Sequence, residues 1–216
     1  MTRTEIKICG LSTPETLDAA IEAGATHVGI VQYEPSPRHV PLRDAAALRR
    51  RVPDTVETVI VTVNMQPPDL ARTIDALRPD IIQFHGSETP EWMELVRDKI
   101  GIGTWRAVGL REPETLERAR KFEGKVDRLL FDAPAKELPG GNGTSFAWEL
   151  LDGWHPFIRW GLAGGLTPAN VGQAIARVRP PLVDASSGLE REPGVKDPAL
   201  IRAFCEAVRA ADGKHA

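Results

Sequence analysis

FIRWGLAGGLTPANVGQAIARVRPPLVDASSGL, residues 157–189, carries the pattern that decides the fold. An apolar run, Phe157 to Leu162, stops at Ala163-Gly164-Gly165. An amphipathic stretch follows, and a second short run, Leu182 to Ala185, stops at Ser186-Ser187-Gly188. Two short apolar runs separated by helical spacing describe a strand–helix–strand unit with parallel strands. Between them Thr167-Pro168 offers a hydroxyl cap ahead of a proline at an early helical position.

The same alternation extends back to the N-terminus. Six further runs read as strands: Glu5 to Cys9, His27 to Val31, Glu57 to Val63, Ile81 to Phe84, Gly103 to Val108 and Arg128 to Asp132. Ser12-Thr13-Pro14-Glu15, Glu112-Pro113-Glu114 and Asp197-Pro198 repeat the cap-and-proline device. A final stretch, Asp197 to Ala210, sets Leu200, Ile201, Phe204, Cys205 and Val208 on one stripe, as in a helix closing an outer ring. An open doubly wound sheet would alternate similarly, but eight units favour an α/β single-domain (β/α)₈ TIM barrel with eight parallel strands over residues 1–216.

Composition narrows the function. A chain of 216 residues with 42% hydrophobic and 26% charged residues can bury a sizeable core. A net charge of -3 with scattered Lys and Arg leaves no basic stripe for a nucleic acid. No signal-like N-terminus and no long apolar run appear, so a cytoplasmic protein without a membrane partner is expected. Its two cysteines, far apart, are expected to stay thiols.

In such barrels the active site lies at the C-terminal ends of the strands. Cys9 ends the first strand, Asp132 ends the sixth, and Asp184 sits late in the eighth. Cys9 reads either as a small buried residue or as half of an acid–base pair with Asp132. As a base it needs a nearby cation, and Lys7 shares its strand face. Asp132 reads alternatively as a cap or a salt-bridged carboxylate. The glycines of Pro139-Gly140-Gly141-Asn142-Gly143 suggest a mobile cover.

The loops after the seventh and eighth strands commonly cradle a phosphate. Their small residues, Gly164, Gly165, Ser186, Ser187 and Gly188, let backbone N–H groups approach an anion. Arg38, in Ser36-Pro37-Arg38, is a solvated arginine or a bidentate clamp for a substrate carboxylate. His85 orients a loop or substrate, or is structural. Cys205, Trp92, Trp148 and Trp154 read as packing.

From about residue 5 to residue 205 the chain resembles the phosphoribosylanthranilate isomerase family. The resemblance rests on Lys7-Ile8-Cys9-Gly10, Ser36-Pro37-Arg38, Gln83-Phe84-His85-Gly86, Leu130-Phe131-Asp132, Leu162-Ala163-Gly164-Gly165-Leu166, and Val183-Asp184-Ala185-Ser186-Ser187-Gly188-Leu189-Glu190 followed by Pro193-Gly194-Val195-Lys196-Asp197. It implies an Amadori rearrangement of N-(5-phosphoribosyl)anthranilate, a phosphorylated sugar, in tryptophan biosynthesis, with no metal and no cofactor, by a monomer or homodimer. It further implies Asp132 as general acid, Cys9 as general base, Arg38 on the anthranilate carboxylate, backbone around Gly165, Ser186 and Gly188 on the phosphate, and Asp184 near the anthranilate amine. Two departures stand out. Gln32 replaces an aromatic residue common in the family at the end of the second strand, and Gly143-Thr144-Ser145-Phe146-Ala147-Trp148 lacks a lysine and an aspartate usual near Thr144 and Ala147.

Two other readings compete. The sister isomerase of histidine biosynthesis, including a dual-substrate form, resembles a doubled half-barrel with an aspartate at the end of its first strand. Cys9 and the absence of a half-chain repeat argue against it. A non-catalytic phosphate-ligand barrel would have no need of both Cys9 and Asp132.

Overall fold

The alternation resolves into eight parallel strands closed into a barrel, in a computed structural model that describes residues 3–132 and 148–213. In chain order the strands are β1 (Glu5–Cys9), β2 (His27–Gln32), β3 (Glu57–Thr62), β4 (Ile81–Phe84), β5 (Gly103–Gly109), β6 (Arg128–Asp132), β7 (Trp160–Ala163) and β8 (Leu182–Ala185). Each pairs with the next, and β8 returns to β1 with Lys7 in register with Asp184. The described helices are α1 (Pro14–Glu22), α2 (Leu42–Arg49), α3 (Pro67–Leu77), α4 (Pro90–Ile100), α5 (Glu114–Ala119), α6 (Val171–Val178) and α7 (Pro198–Gly213). None of them is long and apolar enough to cross a membrane.

Period-two alternation separates two cores. In β1, Ile6 and Ile8 face outward, where they join Val28, Ile30, Phe131 and Val183 beneath helix residues such as Leu17, Met93 and Phe204. Fully burying an Ile or Leu contributes roughly 1.5–3 kcal/mol, so this outer layer supplies most of the apolar stabilisation. Inside the barrel, Val59, Ile81, Trp105, Leu130 and Leu182 fill the centre, and Cys9, Val31 and Val61 lie in a separate apolar cluster. Gly161 makes that interior packing fit, because a Cβ there would stand 2.7 Å from Leu182 and 2.8 Å from Leu130.

Local signals operate where expected at two helix starts, while α5 begins behind Pro113 with no side-chain cap from Glu112. The Thr13 hydroxyl accepts from Thr16 N–H ahead of Pro14, and Asp197 accepts from Ala199 N–H ahead of α7. The buried face of α7 comprises Ile201, Phe204, Cys205, Val208 and Ala211, with Leu200 half-buried at its edge. Thr167-Pro168 departs from the pattern: Asn170 accepts from Thr167 N–H and closes a turn, so α6 begins only at Val171.

The seventh strand is also displaced. Phe157 and Ile158, expected inside it, precede it and pack against the outer core, the Phe157 ring meeting Trp154 edge-on at 6.1 Å. The ladder starts where the Arg159 carbonyl accepts from Leu129 N–H. Apolar content marks burial, and burial on the outer layer satisfies it as well as burial in a strand. Smaller shifts add Gln32 to β2 and Gly109 to β5, and leave Val63 just beyond β3. The stretch 139–147, with its glycines and its departures from the family pattern, lies outside the described residues.

Candidate active site

The strand C-termini open onto a cavity of about 460 Å³. Cys9, Arg38, His85, Asp132, Gly164, Gly165, Asp184, Ser186 and Ser187 all line it. These residues come from β1, the loop after β2, the end of β4, β6, and the β7 and β8 loops, so the barrel's closure brings them together. Among the described residues no group of His, Cys, Asp and Glu is arranged to hold a metal ion.

Cys9 is nearly buried, and its side chain lies over Gly29, where a Cβ would come within 2.9 Å of Sγ. Burial pushes its thiol above the usual range. The Lys7 charge pulls the other way, Asp184 adds to the rise, and Lys196 gives a smaller pull downward. Lys7 is fully buried directly below Cys9, and its Nζ donates to Asp184 Oδ2 at 2.7 Å. Burial works against the Lys7 charge, but Asp184 and Cys9 together hold the ammonium above the ordinary lysine range. Asp184 Oδ1 is buried with no hydrogen-bond partner among the described residues.

Opposite Cys9, Asp132 is partly open to the cavity, with His85 Nε2 3.6 Å from its Oδ2. Glu88 secures the loop that carries His85: it accepts from Gly86 N–H at 2.9 Å and pairs with Arg106, whose Nη2 donates to the Gly86 carbonyl at 2.7 Å.

In the β7 loop, Gly164 and Gly165 adopt φ of 86° and 62°, conformations that turn backbone groups where a side chain would be strained. Asn170 Nδ2 anchors the Gly165 carbonyl at 2.9 Å. Gly188, expected among the phosphate donors, does not line the cavity. A Cβ on it would stand 2.1 Å from the Leu166 carbonyl oxygen, so it is the close-packing point between the two loops.

Arg38 is not a free clamp. Its Nε and Nη2 donate to Glu190 at 2.7 Å each, in a bidentate pair. Gln32 turns away from the cavity, donating to the Val40 carbonyl at 2.6 Å, and the next residue, Tyr33, presents its ring at the rim instead. Alternation from Gly29 through Val31 to Tyr33 was the available signal for that ring. Ser36 and Gln83, which stand beside Arg38 and His85 in sequence, also line the cavity. Cys205 is packed in α7, where burial raises its thiol to about 11.

Residues 6–207 match the family model described as N-(5'phosphoribosyl)anthranilate (PRA) isomerase. A curated relative from Erythrobacter litoralis, named N-(5'-phosphoribosyl)anthranilate isomerase, is 61% identical over 206 residues, covering 95% of this chain and 99% of its own. The phosphoribosyl anthranilate isomerase of Thermotoga maritima superposes with a TM-score of 0.85 at 34% identity, covering 96% of this chain and 99% of that one. Another solved isomerase, in complex with reduced 1-(o-carboxyphenylamino)-1-deoxyribulose 5-phosphate, gives the same TM-score at 31% identity and the same coverage.

Proposed function

We propose that this chain, which belongs to the N-(5'-phosphoribosyl)anthranilate isomerase family, converts N-(5-phosphoribosyl)anthranilate to 1-(2-carboxyphenylamino)-1-deoxyribulose 5-phosphate, with Asp132 as general acid and Cys9 as general base. One observation carries the role assignment: Cys9 and Asp132 project from β1 and β6 into the same cavity, between a phosphate-type loop pair and an arginine.

The chemistry follows from that layout. Protonated Asp132 gives its proton to the furanose ring oxygen, the C1–O bond breaks, and a protonated imine forms. The Cys9 thiolate then removes the proton from C2, and the resulting enolamine tautomerises to the ketone. Acid and base on opposite walls reach neighbouring atoms of a substrate held at both ends, which makes each proton transfer intramolecular in effect. Backbone N–H groups of the Gly164-Gly165 and Ser186-Ser187 turns hold the phosphate, and the remaining Arg38 nitrogen, Nη1, holds the anthranilate carboxylate. The ring rests against Val31, Val61 and Tyr33. Asp184 Oδ1 accepts from the substrate amine, and His85 steadies the Asp132 carboxyl.

Lys7 addresses the weakness of Cys9 as a base. A buried thiol resists ionisation, and a fixed cation beneath it offsets part of that cost without exposing the site to water.

The test is the loss of substrate fluorescence on turnover. Cys9→Ala and Asp132→Asn are each expected to lower kcat by about a hundredfold or more, the scale of a lost general acid or base. Turnover unchanged in either variant removes that residue from its role.

A further inference from the structure

After β8 the chain makes a detour whose two buried charges take no part in the steps above. Glu190–Glu192 (β9) and Val195–Lys196 (β10) form an antiparallel hairpin with Lys196 in register with Glu190. Gly194, at φ 86°, turns the hairpin, and a Cβ on it would stand 2.3 Å from the Pro37 carbonyl oxygen. The hairpin is therefore seated on the Ser36–Arg38 loop at a distance only glycine permits.

Glu190 sits at the junction, with its side chain 4% exposed. Its Oε1 accepts from Arg38 Nε at 2.7 Å and also from Lys196 Nζ. Its Oε2 accepts from Arg38 Nη2 at 2.7 Å and from Gly194 N–H at 3.3 Å. Lys196, with no exposed side-chain surface, donates a second bond to Ser186 Oγ at 3.3 Å, and Ser186 Oγ donates to the Cys9 carbonyl at 3.1 Å. All of this closes over Gly10, at φ 77°, where a Cβ would meet Arg38 at 2.7 Å and Lys196 and Ser186 at 3.2 Å.

Two physical consequences follow. A bidentate carboxylate fixes both the plane and the direction of a guanidinium, leaving Nη1 aimed and already ordered before any ligand arrives. The Arg38–Glu190 pair alone would be neutral and would lose its attraction for anions. Lys196 restores one net positive charge to the group. Burial works to raise the Glu190 carboxyl, but the bonds from Arg38 and Lys196 bring it to about 2, which favours the carboxylate that both cations need.

We propose that Glu190 is a positioning residue that sets both ends of the substrate site from one point: it holds Arg38 in the plane where Nη1 meets a substrate carboxylate, and through Lys196 it holds the Ser186 hydroxyl at the phosphate loop. The assignment rests on the carboxylate and phosphate contacts of the proposed function.

The experiment uses the full chain and measures KM and kcat for phosphoribosylanthranilate, with inhibition constants for anthranilate and for inorganic phosphate. Glu190→Gln is expected to raise KM about tenfold with kcat within about threefold, the pattern of lost uniform binding, and to weaken both inhibitors. Arg38→Ala should weaken anthranilate alone. Lys196→Met, which spares the Arg38–Glu190 bonds but leaves that pair neutral, should weaken phosphate and, to a smaller extent, anthranilate, and it keeps the phosphate arm testable if Glu190→Gln folds poorly. The double variant Arg38→Ala/Glu190→Gln should bind anthranilate no worse than Arg38→Ala, since the two residues act as one unit. An Arg38→Ala defect with unchanged or tighter anthranilate binding in Glu190→Gln overturns the positioning role and makes Glu190 a competitor for the arginine. Unchanged phosphate inhibition in Lys196→Met overturns the phosphate arm. Normal anthranilate binding in Arg38→Ala overturns the underlying carboxylate contact and the Glu190 assignment together.

Discussion

The two ends of the barrel use the same kinds of polar side chain to opposite ends. At the N-terminal floor, His27 Nε2 meets Glu57 at 2.7 Å, its Nδ1 meets the Thr26 hydroxyl at 2.8 Å, and Arg128 pairs with Glu5 while stacking over Trp105 at 4.7 Å. Each of these groups has a partner within the protein. At the C-terminal mouth, Asp184 Oδ1 and Gln83 Oε1 are buried beside the cavity with no hydrogen-bond partner among the described residues, and His85 and Asp132 stand a loose 3.6 Å apart. Buried polar atoms cost free energy unless bonded, so the partners of these floor groups stabilise the fold. A mouth that leaves them unsatisfied spends stability on binding. Lys7 lies between the two, paired as at the floor yet touching the electrostatics of the mouth.

Substitutions can break this contrast. The largest effect on rate belongs to the mouth: Cys9→Ala and Asp132→Asn should lose about two or more orders of magnitude in kcat while their thermal midpoints move by only about 2 °C, because neither group is a keystone of packing. A large fall in melting temperature on either change would make the mouth a structural region too.

The largest effect on stability belongs to Lys7→Met. Removing one partner of a buried ion pair leaves Asp184 uncompensated, at a cost of about 3–5 kcal/mol in denaturant unfolding. The same variant sharpens the boundary between the two ends. With Cys205→Ala as background, the pH midpoint for alkylation of Cys9 should lie above the ordinary thiol range, since burial raises it, and Lys7→Met should move it higher still. A midpoint that stays put or falls would remove Lys7 as the cation that favours the thiolate.

Smaller effects are expected at the floor. His27→Ala should cost about 1 kcal/mol of stability, the scale of a lost hydrogen-bonded pair, and leave kcat/KM unchanged. Its pH signature can be isolated with Glu57→Gln. The hydrogen bond from His27 holds the Glu57 carboxyl below the ordinary glutamate range. A carboxyl lowered by folding adds stability above its unfolded pKa and loses it as pH falls through the folded value. The gap in melting temperature between wild type and Glu57→Gln should therefore be widest at neutral pH and close on acidification. A gap that widens in acid reverses the assignment.

Much of the mouth was legible in residue order. Cys9, Asp132, Asp184 and the two small-residue loops fall at strand ends, and period-two alternation alone points them into the barrel. Residue order does not show the packing role of Gly188, since a glycine that lets an anion approach and a glycine that lets a carbonyl approach look alike in sequence. Phe157 and Ile158 look like strand residues for a similar reason, since apolar content does not say which layer does the burying. Gln32 carries the departure from the family pattern, but period-two alternation continued one residue past β2 puts its neighbour Tyr33 on the cavity side.

By itself the sequence determined the eight-unit alternation, the strand-end chemistry and the loop positions, because each depends on neighbours close along the chain. Only the tertiary structure decided that Arg38 is tied to Glu190, 152 residues away, and that Lys7 pairs with Asp184 across the seam where β8 meets β1. Those pairings are set by barrel closure and by one hairpin's contact with a distant loop. Local composition has no access to either, since the energy of an ion pair depends on the partner the fold delivers and on the water it excludes.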